Sequence, residues 1–166
     1  VIRLRDLLYG LMLRSGNDAA VAIAEYISGD VDSFAALMNQ EAAAMGATRS
    51  HFVNPNGLPD ENHYTCVYDM YLIFSNAIKN DTFVSIIGTT SYDVTYTDAS
   101  GEAVTHTWEN TNQYLTGNAT TPDGFQIVGG KTGTTGEAGY CLVLYSYNPS
   151  GQPIISIVFK ADGKSN

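Results

Sequence analysis

The sequence predicts an α+β domain, a helical cluster followed by an antiparallel sheet, and three observations carry that reading. Apolar residues recur at three- and four-residue spacing through the first half, and from Tyr92 the period changes to two. Turn residues then separate short alternating runs, the pattern of antiparallel hairpins. Helices first and strands second gives segregated α+β architecture.

Each element follows from its own residues. Leu4, Leu7, Leu8 and Leu11 form the stripe of an amphipathic helix, which breaks at Ser15-Gly16-Asn17-Asp18, all turn and cap residues. Asp18 is the expected N-cap of a second helix, whose apolar positions are Val21, Ile23, Ala24 and Ile27 and which stops at Gly29. Asp32 or Ser33 caps a third, carrying Phe34, Leu37, Met38 and Met45 to Gly46. Residues 48–62 contain Asn54-Pro55-Asn56-Gly57-Leu58-Pro59, an ordered turn region, because proline removes donors and glycine permits positive φ. Thr65 then caps a helix with Met70, Ile73, Phe74, Ala77 and Ile78 on its apolar face, and a shorter helical piece through Phe83 and Ile87 ends at Gly88.

In the second half Tyr92, Val94 and Tyr96 alternate with polar residues, Ala99-Ser100-Gly101-Glu102 turns the chain, and Val104, His106 and Trp108 resume the alternation. Residues 125–134 read as one strand. Residues 139–147 and 153–160 make a second hairpin, turned by Asn148-Pro149-Ser150-Gly151.

The 166 residues suit one domain, helical over 1–88 and mainly β over 89–166. A net charge of −9 repels polyanions and speaks against nucleic acid as a partner. The longest apolar runs fall well short of the ~20 residues a membrane-spanning helix needs. Cys66 and Cys141 lack metal-ligand or Cys-x-x-Cys spacing, so two buried thiols are expected, with one bridge as the other option. His51, His63 and His106 lack His-x-x-x-His spacing; no metal and no cofactor is expected.

Two short elements carry chemistry: Ser15-Gly16-Asn17 between two helices, and Lys131-Thr132-Gly133-Thr134 near a strand's end. Each alone is commonplace. Their surroundings are not: Leu7-Leu8-Tyr9-Gly10-Leu11-Met12-Leu13 before Ser15, then Met45-Gly46-Ala47-Thr48, His51-Phe52-Val53-Asn54-Pro55-Asn56-Gly57-Leu58, Asp69-Met70, and Gly130-Lys131 running through Thr135 to Ala138-Gly139-Tyr140-Cys141-Leu142. With these the chain resembles the serine D-alanyl-D-alanine carboxypeptidases among the penicillin-binding proteins, from about Leu7 to about Phe159. Asn56 stands where the family often has histidine. Asn110 and Asn112 resemble a further family motif near the cleft, although capping or turn roles suit them equally.

The resemblance implies part of a penicillin-binding protein/β-lactamase-like transpeptidase fold and a chemistry of three elements, Ser-x-x-Lys, Ser-x-Asn and Lys-Thr-Gly. The first is missing: residues 76, 128, 157 and 161, three before the four lysines, are Asn76, Val128, Ile157 and Ala161. The chain therefore reads as a fragment lacking the N-terminal nucleophile segment and inactive alone. By resemblance, Ser15, Asn17 and Lys131 are catalytic, Ser15 passing a proton and Asn17 donating its amide to the peptide carbonyl. Thr132, Gly133 and Thr134 bind substrate, and the Thr134 N–H supplies half an oxyanion hole. The implied partner is a peptidoglycan stem peptide or a β-lactam, and the implied location is outside the cytoplasmic membrane. A non-catalytic peptidoglycan-binding or regulatory module is the alternative. A β-lactamase fits less well, because its water-activating carboxylate motif is missing. A truncated sheet exposes an unpaired edge, so a dimer or larger assembly is expected.

Overall fold

The computed structural model describes residues 2–163. Five helices come first: α1 (Leu4–Arg14), α2 (Asn17–Ser28), α3 (Val31–Ala44), α4 (Val67–Ala77) and α5 (Asp81–Ile87). A hairpin of β1 (Ser91–Thr97) and β2 (Ala103–Glu109) follows, then the single turn α6 (Gln113–Thr116). The chain ends in β3 (Gln126–Thr135), β4 (Gly139–Tyr147) and β5 (Pro153–Ala161), an antiparallel sheet in the order β3-β4-β5. The α+β prediction and both hairpins hold.

Strand boundaries agree with the expectation to within a residue because turn chemistry sets them locally. Asn148 Oδ1 accepts from the N–H groups of Ser150 and Gln152, and Gly151 takes φ +75°. In the 48–62 region Asn54 does similar work, accepting from Gly57 N at 2.7 Å and donating to Leu58 O at 2.9 Å.

The helix faces and caps differ from the expectation. On α1 the buried residues are Asp6, Tyr9, Gly10 and Leu13, while Leu4 is 42% exposed. The leucine stripe gives way because the hairpin occupies the neighbouring face: Tyr9 stacks on Tyr92 at 3.8 Å, and a Cβ on Gly10 would come within 3.1 Å of the Trp108 ring. On α2 the small residues Ala19, Ala20 and Ala24 are buried with Ile23, whereas Ile27 is exposed. Alanines permit the close approach of α1 and α3 that larger side chains would prevent.

Asp18 is not the cap of α2. Gly16 takes that position, and the Asp18 carboxylate accepts from Ala19 N instead. Neither Asp32 nor Ser33 caps α3: Asp30 does, accepting from Ser33 N at 2.7 Å. Cys66, not Thr65, is the N-cap of α4, because the Thr65 hydroxyl is engaged with Ser50. Both cysteines are free and only half-buried rather than sequestered.

Helices α4 and α5 cover one face of the sheet. Phe74, Ile87 and Val143 form the centre, with Met70, Ile78, Phe83, Tyr145, Ile155 and Ile157 packed around them. Ile87 is fully buried; at about 25 cal/mol per Å2 of apolar surface, such a side chain contributes roughly 1.5–3 kcal/mol. This cluster fixes β3 relative to the helices and thereby places Lys131. No helix among the described residues is long and apolar enough to cross a membrane.

Candidate active site

Three segments converge at one end of the sheet. The first is the loop after α1, where the C-terminal turn of the helix closes on Ser15. Ser15 adopts the left-handed conformation, φ 56° and ψ 42°, and the N–H of the next residue, Gly16, closes the helix end by donating to Gly10 O at 3.2 Å. A non-glycine residue held there costs on the order of 1 kcal/mol, a strain found where side-chain placement matters.

The second segment is the end of β3, the edge strand of the described sheet. Here Lys131 and Thr132 are half-buried while Gly133 and Thr134 are exposed. Nζ of Lys131 donates to Ser15 Oγ and, at 2.5 Å, to Thr132 O. Burial pushes the Lys131 ammonium down from 10.5 to about 8. At neutral pH it therefore remains mostly charged beside the strand's exposed end.

The third segment lies between β2 and β3. Thr111 Oγ1 lies 2.6 Å from Thr132 Oγ1. Asn110 is buried, donating from Nδ2 to Thr89 O and accepting from Asn112 N. Asn112 caps α6 through Tyr114 N and also lines the cavity beside Thr111, so it has the cap role and the place near the cleft together, while Asn110 serves the turn.

Between these segments lies a cavity of about 450 Å3 lined by Ser15, Thr111, Tyr114, Thr132, Gly133 and Thr134, and by Tyr140 and Leu142 of the neighbouring β4. Hydroxyls and a strand edge beside apolar side chains suit an extended ligand with a polar end. Five of the six site residues read from the sequence, Ser15, Lys131, Thr132, Gly133 and Thr134, meet here. Asn17 stands exposed on the first turn of α2 and, among the described residues, is not bonded to Lys131. Thr111 and Tyr114 were not anticipated; the run of polar residues Asn110-Thr111-Asn112 after a strand was the available signal. Among the described residues no group of three His, Cys, Asp or Glu side chains could hold a metal ion.

Comparison with known proteins bears on the family and the fold. A family model described as D-alanyl-D-alanine carboxypeptidase matches residues 1–163. The chain is 36% identical to the D-alanyl-D-alanine carboxypeptidase DacF of Bacillus subtilis, over 95% of this chain and 38% of that protein. It is also 36% identical to a D-alanyl-D-alanine carboxypeptidase of a Streptomyces species, covering 95% of this chain and 54% of the other. Among solved structures, a mutant of a Streptomyces DD-transpeptidase superposes with a TM-score of 0.88 at 34% identity, over 98% of this chain and 62% of that one. A D-alanyl-D-alanine carboxypeptidase from Mycobacterium tuberculosis superposes with a TM-score of 0.79 at 29% identity, over 94% and 55%. The chain thus spans about half or less of the length of these curated relatives.

Proposed function

The chain belongs to the D-alanyl-D-alanine carboxypeptidase family, and on that premise we propose that it forms the carboxylate-binding half of a serine-type D-Ala-D-Ala carboxypeptidase acting on peptidoglycan stem peptides through an acyl-enzyme. The observation that carries this reading is the Lys131–Ser15 hydrogen bond beside the exposed strand end at Gly133 and Thr134.

The roles follow from the groups present. Lys131 and the hydroxyls of Thr132 and Thr134 receive the C-terminal carboxylate, a charge-assisted contact stronger in a partly dry cleft than in bulk water. The peptide lies beside β3 as an added strand, with Gly133 leaving room for its backbone. The serine that attacks the scissile carbonyl comes with its lysine from outside these 166 residues, because none of the four lysines here has a serine three positions before it. As the tetrahedral oxyanion forms, the Thr134 N–H stabilises it. Ser15 passes a proton towards the leaving D-alanine amine, and Asn17 holds the peptide carbonyl once substrate is bound. Such a reaction belongs outside the cytoplasmic membrane, where its substrate lies. The outer edge of β5 has no neighbouring strand in the described sheet, which supports self-association of this chain by strand pairing.

Labelled penicillin tests the reading. A chain that carries a Ser-x-x-Lys element in addition to these residues should be acylated, and Lys131→Ala should slow that acylation on the order of 100-fold. Acylation untouched by Lys131→Ala removes the residue from the mechanism, and no acylation at all removes the proposed function.

A further inference from the structure

We propose that Thr111 is a positioning residue for carboxylate recognition, donating its hydroxyl proton to Thr132 Oγ1 so that the Thr132 proton is left for the carboxylate of a D-Ala-D-Ala peptide. The inference rests on the function proposed above and deepens it.

The pair is close, with 2.6 Å between Thr111 Oγ1 and Thr132 Oγ1. Thr111 is itself exposed on the cavity wall, so its contact with Thr132 buries little and adds little to stability. Its backbone is nevertheless held firmly. Thr111 N donates to Leu13 O at 3.2 Å, two residues before Ser15, which ties it to the end of α1. The preceding residue, Asn110, is 7% exposed and is held through both its backbone N–H, to Thr90 O, and its side chain, to Thr89 O. The following residue, Asn112, is 1% exposed and donates its N–H to Asn110 Oδ1. An exposed hydroxyl presented from so fixed a frame is aimed.

Proton arithmetic gives the aim its consequence. A hydroxyl has one proton and two lone pairs. With the Thr132 proton spent on Thr111, Thr132 would turn only lone pairs towards a carboxylate held at Lys131, and the two would repel. With Thr111 as donor, Thr132 keeps its proton for the carboxylate, and the chain of hydroxyls is polarised in the strengthening sense. Lys131 reinforces this geometry by bonding the Thr132 carbonyl.

The test is steady-state hydrolysis of an acyl-D-Ala-D-Ala peptide by a chain carrying a Ser-x-x-Lys element, with thermal melting recorded for every variant. Thr111→Val and Thr111→Ala should each lower kcat/KM about tenfold, mainly through KM, and Thr111→Ser should stay within about twofold of the parent. In a Thr132→Val background, Thr111→Val should have no further effect, because the residue acts through Thr132. Activity of Thr111→Val and Thr111→Ala within twofold of the parent, failure of Thr111→Ser to restore it, or multiplicative effects at the two sites would each overturn the inference while leaving the proposed function standing. A parent chain that neither hydrolyses peptide nor is acylated by penicillin removes the function, and the inference with it.

Discussion

The hydroxyl of Ser15 accepts a hydrogen bond from Lys131 Nζ, joining the loop between α1 and α2 to β3 across 116 positions of sequence. Ser15 makes that contact from a left-handed backbone, φ 56°, which glycine adopts without penalty. Ser15→Gly and Ser15→Ala both delete the hydroxyl, but only alanine keeps the strain. Ser15→Gly should therefore be more stable than Ser15→Ala by about 1 kcal/mol, or about 2–4 °C in Tm for a chain of this size. Equal melting temperatures would show that the loop relaxes when the hydroxyl is gone.

How far such features were legible in the sequence depended on how local their causes are. The turn at Asn148-Pro149-Ser150-Gly151 and the strands on either side were readable because Asn148 bonds within its own turn. The buried face of α1 was not. Burial of Tyr9 and Gly10 is decided by Tyr92 and Trp108, more than eighty residues away, so the local leucine pattern caught Leu8, which packs on the core, but missed the centre of the buried face. Resemblance to a family nominated Ser15 and Lys131 as site residues. Thr111 had only the polar run Asn110-Thr111-Asn112 to mark it, and a threonine between two asparagines gains a specific role only when β3 sets Thr132 beside it.

Gly129 and Gly130 set how closely β3 approaches its neighbours just before Lys131. A Cβ on Gly129 would lie 2.5 Å from Ile87 O, and one on Gly130 would lie 2.2 Å from Val143 O. Both obstacles are backbone atoms, which cannot swing aside. Gly129→Ala and Gly130→Ala should each destabilise the fold by about 3 kcal/mol in urea denaturation. Gly136→Ala, with nothing within 4 Å, should stay within about 0.5 kcal/mol of the parent. A tolerated Gly130→Ala would mean that β3 and β4 can separate, and with them the placement of Lys131.

Lys131 gives the chain a pH signature on the alkaline side. The unfolded residue keeps its proton up to about 10.5 and the folded one only to about 8, so between those values the unfolded chain binds more protons. Stability contributed by this site therefore rises as pH increases through that window, with a limiting slope of about 1.4 kcal/mol per pH unit for one proton. Lys131→Met should lack the rise. Because every other ionisable group is common to both proteins, the difference between their thermal melts isolates the lysine. Affinity for a carboxylate should move the opposite way, weakening above about pH 8 as the ammonium is lost. Parallel pH curves for parent and Lys131→Met would show that the lysine is not desolvated in the fold.

Asp6 governs the acid side and shows what holds α1, and with it the Ser15 loop, against the hairpin. Its carboxylate is 1% exposed and accepts from Arg3 Nε at 2.8 Å, Arg3 Nη2 at 3.2 Å and Tyr92 OH at 2.6 Å. The Arg3 guanidinium, with help from the Tyr92 hydroxyl, holds the carboxyl below its ordinary range, and the same contact raises the Tyr92 hydroxyl. In the unfolded chain Asp6 takes up its proton near 3.8, before the folded protein does. This stabilisation is thus present above that pH and is lost as pH falls through it. Asp6→Asn should be less stable at neutral pH, and its deficit relative to the parent should shrink below pH 4 in urea titrations. The two partners should not be equal. The Arg3 side chain is 74% exposed and its attraction is screened by water, whereas Tyr92 is half-buried and stacked on Tyr9. Tyr92→Phe should consequently cost more stability than Arg3→Ala. The reverse order would place the anchoring of α1 in the surface ion pair and not in the hairpin contact.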